Sequence, residues 1–399
     1  MLVKKIKFLL IVFLIYQTPL NSKSLSLTNF DSKNISRYFS GIVAFENKDN
    51  SSALDFFDSS KILINSHEPF LNRYIQSLVL ENKITQAINL IKKNDNKNNS
   101  NFFDAYLLLI IDSLKKNNFD KAFDYLNKST NFIGQDRLNS TILESLKQFI
   151  FVFKEKKFLT DQKKFGKLSA ISEAFQKCYL ENENTDKYFS KLFNDPDGDY
   201  TRYIFFYLSY LIENNRIDDA IRVADTIEYI NTTLLLSQGK NWLENGNSKK
   251  FVDVFSCKNS NDIIGEFLFL VSNLYSAQDD FNRSNFYLNL SNFFNPKFKF
   301  NLALVAENHY FNQEYTKAKK TLKQFKKDDN FYYWFRIKKE AQIIEKQRNK
   351  KDALNYITAE FNKIEKPNIK MIFDIANFYK NSKKYDKAIE YYNKILNSF

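Results

Sequence analysis

The chain has 399 residues, 44% of them hydrophobic, with 41 Phe and 23 Tyr but only 7 Gly and 5 Pro. That length exceeds one ordinary compact core, and so few turn-forming residues exclude an all-β fold, leaving helices joined by short polar turns. The formal net charge of +13 raises a polyanion as partner, but the lysines are interspersed with Asp and Glu and greatly outnumber Arg, the reverse of a bidentate phosphate reader, so nucleic acid is set aside.

In chain order, Met1 to Lys7 carries Lys4, Lys5 and Lys7, and Phe8 to Tyr16 is uniformly apolar before Gln17 and Pro19. This is the three-part pattern of a secretory signal. Ser22, Lys23 and Ser24 form a small-x-small cleavage site, so residues 1–24 read as a signal peptide, and the loss of Lys4, Lys5, Lys7 and Lys23 lowers the charge from +13 to +9. The apolar stretch is far shorter than the roughly 20 residues that span a bilayer, and no cysteine follows it to be acylated. The expectation is a periplasmic protein with no stable membrane insertion after cleavage; an inner-membrane anchor formed by an uncleaved signal is the alternative.

Residues 30–135 repeat one layout. Gly41 and Ala53, Ile75 and Ala87, and Ile110 and Ala122 each pair a residue of one helix with a small residue of the next, and the small residues recur every 34 to 35 positions. Residues 136–255 keep the pattern less well: Leu208 and Ala220 mark one clear hairpin, with weaker ones at Ala174/Asp186 and Gly239/Phe251, while 136–167 fits poorly. Residues 256–399 repeat it most regularly. There Ile372, Ile375, Ala376 and Tyr379 share one face of a first helix, and Tyr385, Ala388, Tyr392 and Ile395 one face of a second, the 3.6-residue period of an amphipathic hairpin. The register residues Ser284, Ala318, Ala353 and Ala388 again lie 34 or 35 apart.

With small residues twelve apart in Gly41/Ala53, Ala306/Ala318, Ala341/Ala353 and Ala376/Ala388, and aromatics around them, the chain resembles the tetratricopeptide repeat. The resemblance implies an all-α fold, an α-solenoid in which helical hairpins stack as a right-handed superhelix. It also implies that the first helices line an inner face that binds extended peptides or partner helices. By register, the partner-binding positions are Tyr38, Ile42, Phe45, Leu107, Ile111, Phe205, Phe269, Tyr310, Phe335 and Phe373, with Lys338 and Lys380 among them.

Little else points to chemistry. His67 and His309 are the only histidines, which removes most triad and zinc arrangements; His309 is expected to pack on a core face and His67 to sit in a turn. Cys178 and Cys257 lie 79 residues apart, about two repeats, too far for the roughly 4.4 to 6.8 Å between Cα atoms in a disulfide, and both are expected as buried free thiols. Asp195 to Asp199 lacks the spacing of a calcium loop and reads as a turn. Lys92 to Asn101 is a polar loop, and Phe331 to Phe335 an aromatic run packing on the preceding hairpin.

The reading is therefore a non-enzymatic periplasmic scaffold or adaptor with a protein or peptide partner and no cofactor, catalytic group or metal. Homo-oligomerisation is left open. The alternative is the solenoid portion of a peptidoglycan-acting lytic transglycosylase whose catalytic domain is absent, and a weaker one is lipidated outer-membrane assembly machinery, against which the missing anchor cysteine argues. Because helices that cross this closely tolerate only a methyl group at the contact, Ala318→Leu is expected to lower the unfolding free energy by about 1–3 kcal/mol. Urea denaturation checks this, and an unchanged midpoint would remove Ala318 from the contact.

Overall fold

The computed structural model describes residues 31–65, 67–94, 100–133, 137–195, 201–230 and 232–397. Residues 1–24, expected above as a signal peptide, the centre of the loop Lys92 to Asn101 and most of the expected turn Asp195 to Asp199 lie outside them. Among the described residues there are only helices and turns, and chain contacts divide the protein into two units, 1–77 and 78–399.

The first unit holds α1 (Ser32–Glu46), α2 (Asn50–Ser59), a short 3-10 turn and the start of α3 (Glu68–Leu80), the helix in which the division falls. Gly41 of α1 is required by close approach: a Cβ there would lie 2.7 Å from the Phe57 ring of α2. Tyr38, Phe57, Phe70 and Tyr74 complete this core.

The second unit continues with α4 (Ile84–Asn94), α5 (Phe103–Lys115), α6 (Phe119–Ser129), α7 (Arg137–Glu155), α8 (Lys167–Tyr179), α9 (Thr185–Phe193), α10 (Arg202–Glu213) and α11 (Ile217–Asp225). It goes on through α12 (Leu234–Glu244), α13 (Lys249–Val254), α14 (Ser260–Ser276), α15 (Phe281–Phe294) and α16 (Phe300–Phe311). It closes with α17 (Tyr315–Leu322), α18 (Asn330–Gln347), α19 (Lys350–Phe361), α20 (Ile369–Asn381) and α21 (Tyr385–Leu396). The small register residues Ala87, Ala122, Ala174, Ala220, Ala306, Ala318, Ala341, Ala353, Ala376 and Ala388 are all buried. At Gly239 of α12 a Cβ would come within 3.0 Å of Phe251 and 3.1 Å of Phe205. The fold is an all-α solenoid of tetratricopeptide-type hairpins.

One turn is used almost throughout. A residue in the left-handed region ends the first helix at Lys48, Asn82, Asn117, Glu181, Asn215, Gly246, Asp279, Gln313 and Lys383, each five positions before the register residue of the second helix. The next residue's N–H reaches back to a carbonyl five residues earlier, as in Asp49 to Ala44, Asn118 to Ser113, Arg216 to Leu211 and Glu314 to His309, at 2.8 to 2.9 Å. This is the hydrogen bond of a Schellman cap, and it satisfies carbonyls that the helix end leaves orphaned. Asp49, Asn118 and Asp280 then cap the second helix, accepting from the N–H of Ser52, Lys121 and Arg283.

The poorly fitting stretch 136–167 has a structural counterpart. Lys156 adopts the same left-handed turn (φ 52°), yet α7 has no second helix after it. An irregular segment follows, held by Gln148 donating to the Lys163 carbonyl at 3.0 Å, before Gly166 (φ 58°) leads into α8.

The second unit is not the one-dimensional stack that neighbouring repeats alone would make. Its hairpin α14–α15 touches elements far away in sequence. Arg283 of α15 makes a bidentate pair with Asp104 of α5 at 2.6 and 2.8 Å. Lys115 donates to the Phe294 carbonyl at 2.9 Å, and Asn289 to the Val79 carbonyl at 2.8 Å. Phe149 of α7 packs on Phe267 at 5.6 Å, and Arg202 of α10 pairs with Glu266.

The same return corrects the cysteine expectation. Cys178 and Cys257 form a disulfide with Cα atoms 5.6 Å apart. Counting repeats along a straight stack overestimated their separation, because α9 to α13 loop out and bring the turn before α14 back against the end of α8.

Reduction of Cys178–Cys257 is expected to lower stability by about 2–5 kcal/mol, read as a fall in thermal midpoint on adding dithiothreitol; no fall would mean that the turn before α14 docks on α8 without it. Asp104→Ala, which strands the Arg283 guanidinium among aromatic rings, is expected to lose about 3–5 kcal/mol. The double variant D104L/R283M should recover most of that in chemical denaturation, and failure to do so would locate the cost in packing instead.

Candidate functional site: a cleft on the inner face of the C-terminal hairpins

Where α14, α16 and α18 lie side by side, their inward residues meet the start of α10 and of α12. The result is a cleft of about 330 Å³ lined by Leu234, Phe269, Phe300, Leu304 and Phe335, with Arg202 and Glu307 as its charged members. A second hollow of about 260 Å³ shares Leu234, Glu307 and Phe335 with it and continues toward α20 through Lys338, Lys339, Lys370 and Asp374. The volumes lie at or just under the lower limit of sites that take small ligands or a few side chains.

The cations of this surface are already held by partners within the chain. Arg202 donates from Nε and Nη2 to the two oxygens of buried Glu266 at 3.0 and 2.8 Å. Burial pushes the Glu266 carboxyl up while the guanidinium pulls it down, and burial is the larger effect. The Arg202 guanidinium also lies 4.0 Å from the Phe269 ring centre and 4.4 Å from that of Phe300, a cation–π contact with two rings that meet edge to face at 5.5 Å. Its third nitrogen, Nη1, is buried without a hydrogen-bond partner.

Lys338 pairs with Asp374 at 3.0 Å, and the same carboxylate accepts from the Trp334 indole at 2.8 Å. Lys339 pairs with Glu307 at 3.0 Å and lies over the Tyr310 ring. Lys370 donates to the Thr232 carbonyl at 2.8 Å and to that of Tyr229 at 3.2 Å, and burial lowers its pKa. What remains for an occupant is therefore apolar surface.

The structure brings together only some of the positions expected to bind a partner. Phe269 and Phe335 both line the cleft, while Tyr310 and Phe373 are half-buried on the same series of first helices. Leu107, Ile111 and Phe205 are fully buried. The inner faces of their helices are filled by the chain itself: α5 carries α15 through Asp104, and Phe205 stacks on Phe251 at 5.0 Å. In the first unit Tyr38 and Phe45 are buried and Ile42 is half-buried, Tyr38 against Phe70 at 5.3 Å and Phe45 beneath the Arg73 guanidinium at 5.3 Å. Arg202, Leu234, Phe300 and Leu304 were missed, because nothing in the sequence spacing brings α10 or α12 to α14 and α16.

The remaining candidates resolve as structure. His67 meets the Tyr38 hydroxyl at 3.0 Å. His309 is half-buried rather than packed in the core, 2.7 Å from Glu314. Burial opposes ionisation of Glu314, but hydrogen bonds from His309, Lys317 and Asn312 outweigh it and hold the carboxyl at about 2. Phe331, Tyr332 and Trp334 are buried, with Tyr332 stacked on Phe325 of the preceding hairpin at 5.3 Å. Among the described residues no cluster of His, Cys, Asp and Glu could hold a metal ion, and no helix is long and apolar enough to cross a membrane.

No family model and no curated protein matches the chain. Among solved structures it is similar to the APC/C hetero-tetramer Cut9–Hcn1, at 12% identity over 92% of this chain and 81% of that one, with a TM-score of 0.30. It is also similar to yeast Tom70, at 12% identity over 92% and 85% with a TM-score of 0.28, and to the TPR domain of P58(IPK), at 14% over 90% and 91% with a TM-score of 0.25. Scores of this size do not superpose one solenoid on another, and the tetratricopeptide-type hairpin stands on this chain's own register, turns and buried alanines.

Proposed function

We propose that this protein is an exported, non-enzymatic adaptor whose C-terminal inner face grips an apolar segment of a partner protein. The observation that carries the reading is the cleft at Leu234, Phe269, Phe300, Leu304 and Phe335, an inward apolar surface whose charged neighbours are paired among themselves. Such a surface favours an uncharged, hydrophobic segment, since an ionic ligand would have to break the pairs already made.

Export is supported by two independent features. One is the basic and apolar start, Lys4 to Tyr16. The other is the disulfide Cys178–Cys257, a bond that persists in oxidising compartments such as the bacterial periplasm and is rare in the cytosol. In a bacterium the chain would act in the envelope, as a scaffold that positions another protein.

Placing a photoreactive benzoylphenylalanine at Leu304 or Phe335 in exporting cells is expected to give a specific crosslinked species from the osmotic-shock fraction, with the mature chain starting near Leu25. Leu304→Asp combined with Phe335→Ser should abolish capture of that species while leaving the circular dichroism unchanged. Equal crosslinking from the exposed outer position Lys351 would reject the cleft, and retention of the intact chain in the cytosol would reject export.

A further inference from the structure

A second pocket of different chemistry, about 390 Å³ in volume, is also lined by α12. Its walls are α12, α13, the turn between α15 and α16, and the turn that opens α18. From α12 and its C-cap come Leu235, Gln238, Trp242 and Asn245, spaced three and four residues apart so that they form one stripe. We propose that this pocket binds a neutral saccharide.

Three observations carry the assignment. The first is charge: Lys250, Lys297 and Lys299 face Asp253, Asp328 and Asp329, equal numbers of each sign, so the pocket has no net attraction for a phosphate, an acidic peptide or a cation. The second is the density of flat amide groups. Gln238, Asn241, Asn245, Asn247 and Asn330 all line it, and an amide or carboxylate presents two polar atoms at a bite that matches adjacent hydroxyls, which donate and accept at once. Gln238 is already oriented, donating to Asp329 at 2.9 Å. Asn245 and Asn247 donate to backbone carbonyls at 2.7 and 3.2 Å, which orients their amide groups.

The third is Trp242, half-buried in the pocket wall. Its ring is held edge-on to Phe251 at 5.4 Å and lies 6.2 Å from Phe205, so the indole is fixed in orientation. A rigid aromatic plane among hydrogen-bonding groups suits the flat C–H face of a pyranose, which is apolar on its faces and polar at its rim. An apolar peptide side chain or lipid tail would leave these amides desolvated and unpaired.

The chain has two tryptophans, so Trp334→Phe makes Trp242 the sole indole reporter. Emission of this variant is titrated with cellobiose, maltose and N,N′-diacetylchitobiose. At least one is expected to give a saturable change with a Kd between about 1 μM and 10 mM. Asn330→Ala, at an exposed position, and Asp329→Asn are each expected to weaken it about tenfold, and Trp242→Ala in the otherwise native chain to abolish the heat of binding by calorimetry. Absence of saturation with all three sugars to about 50 mM would overturn the proposal. So would binding unchanged by N330A and D329N, or a saturable response to inorganic phosphate or polyglutamate in place of the sugars. The readout is independent of the apolar cleft, since L304D/F335S should leave it unchanged.

Discussion

Everything in this molecule follows from how closely two helices of a hairpin can approach. A residue no larger than alanine at the crossing lets the axes come together, and the phenylalanines and tyrosines on either side then fill the grooves. The turn enforces the same geometry. A left-handed residue five positions ahead of the register position, with a Schellman hydrogen bond behind it, sets the angle at which the second helix leaves. Asn82, Asn117 and Asn215 tolerate that conformation better than most side chains, and the positions held by Lys48, Glu181, Asp279, Gln313 and Lys383 are maintained by the caps around them. Turn and crossing thus specify each other, and neither works with the register displaced by one residue.

Hairpins of this kind leave open how the stack as a whole closes. In residues 78–399 that is decided at α14–α15, which faces its neighbours on both sides and also the helices at the start of the unit. Two buried or nearly buried ion pairs, Arg283 with Asp104 and Arg202 with Glu266, are set among aromatic rings. Charges so placed are costly to desolvate, and they are tolerated because each guanidinium is bidentate and stacked. Their effect is selective: a hairpin placed one repeat away would bury an unpaired charge. The disulfide Cys178–Cys257 reinforces the same closure at the far end of α14.

Closure also sorts the inner surface. Where α15 meets the face of α5 that carries Asp104, Leu107 and Ile111 become core; where α16 and α18 face the start of α12, a cleft remains. The lining then changes in chemistry along α12, with Leu234 at its start on an apolar cleft and Gln238, Trp242 and Asn245 further along on an amide-rich pocket. The two hollows share no lining residue.

By itself the sequence determined the local level: helices from the 3.6-residue period, hairpins from the 34-residue recurrence, the crossing from Ala53, Ala87, Ala318 and Ala388, and even the defect at 136–167, where no second amphipathic face follows α7. These properties are legible because they depend on residues within about forty positions of one another, and each repeat states them again. Only the tertiary structure decided which inner residues are exposed, that two cysteines 79 residues apart would bond, and that Arg202 would sit on Phe269 and Phe300. Those outcomes depend on small rotations between successive hairpins, which accumulate until distant repeats meet. No single repeat encodes that sum, so its consequences appear only when the whole second unit has folded.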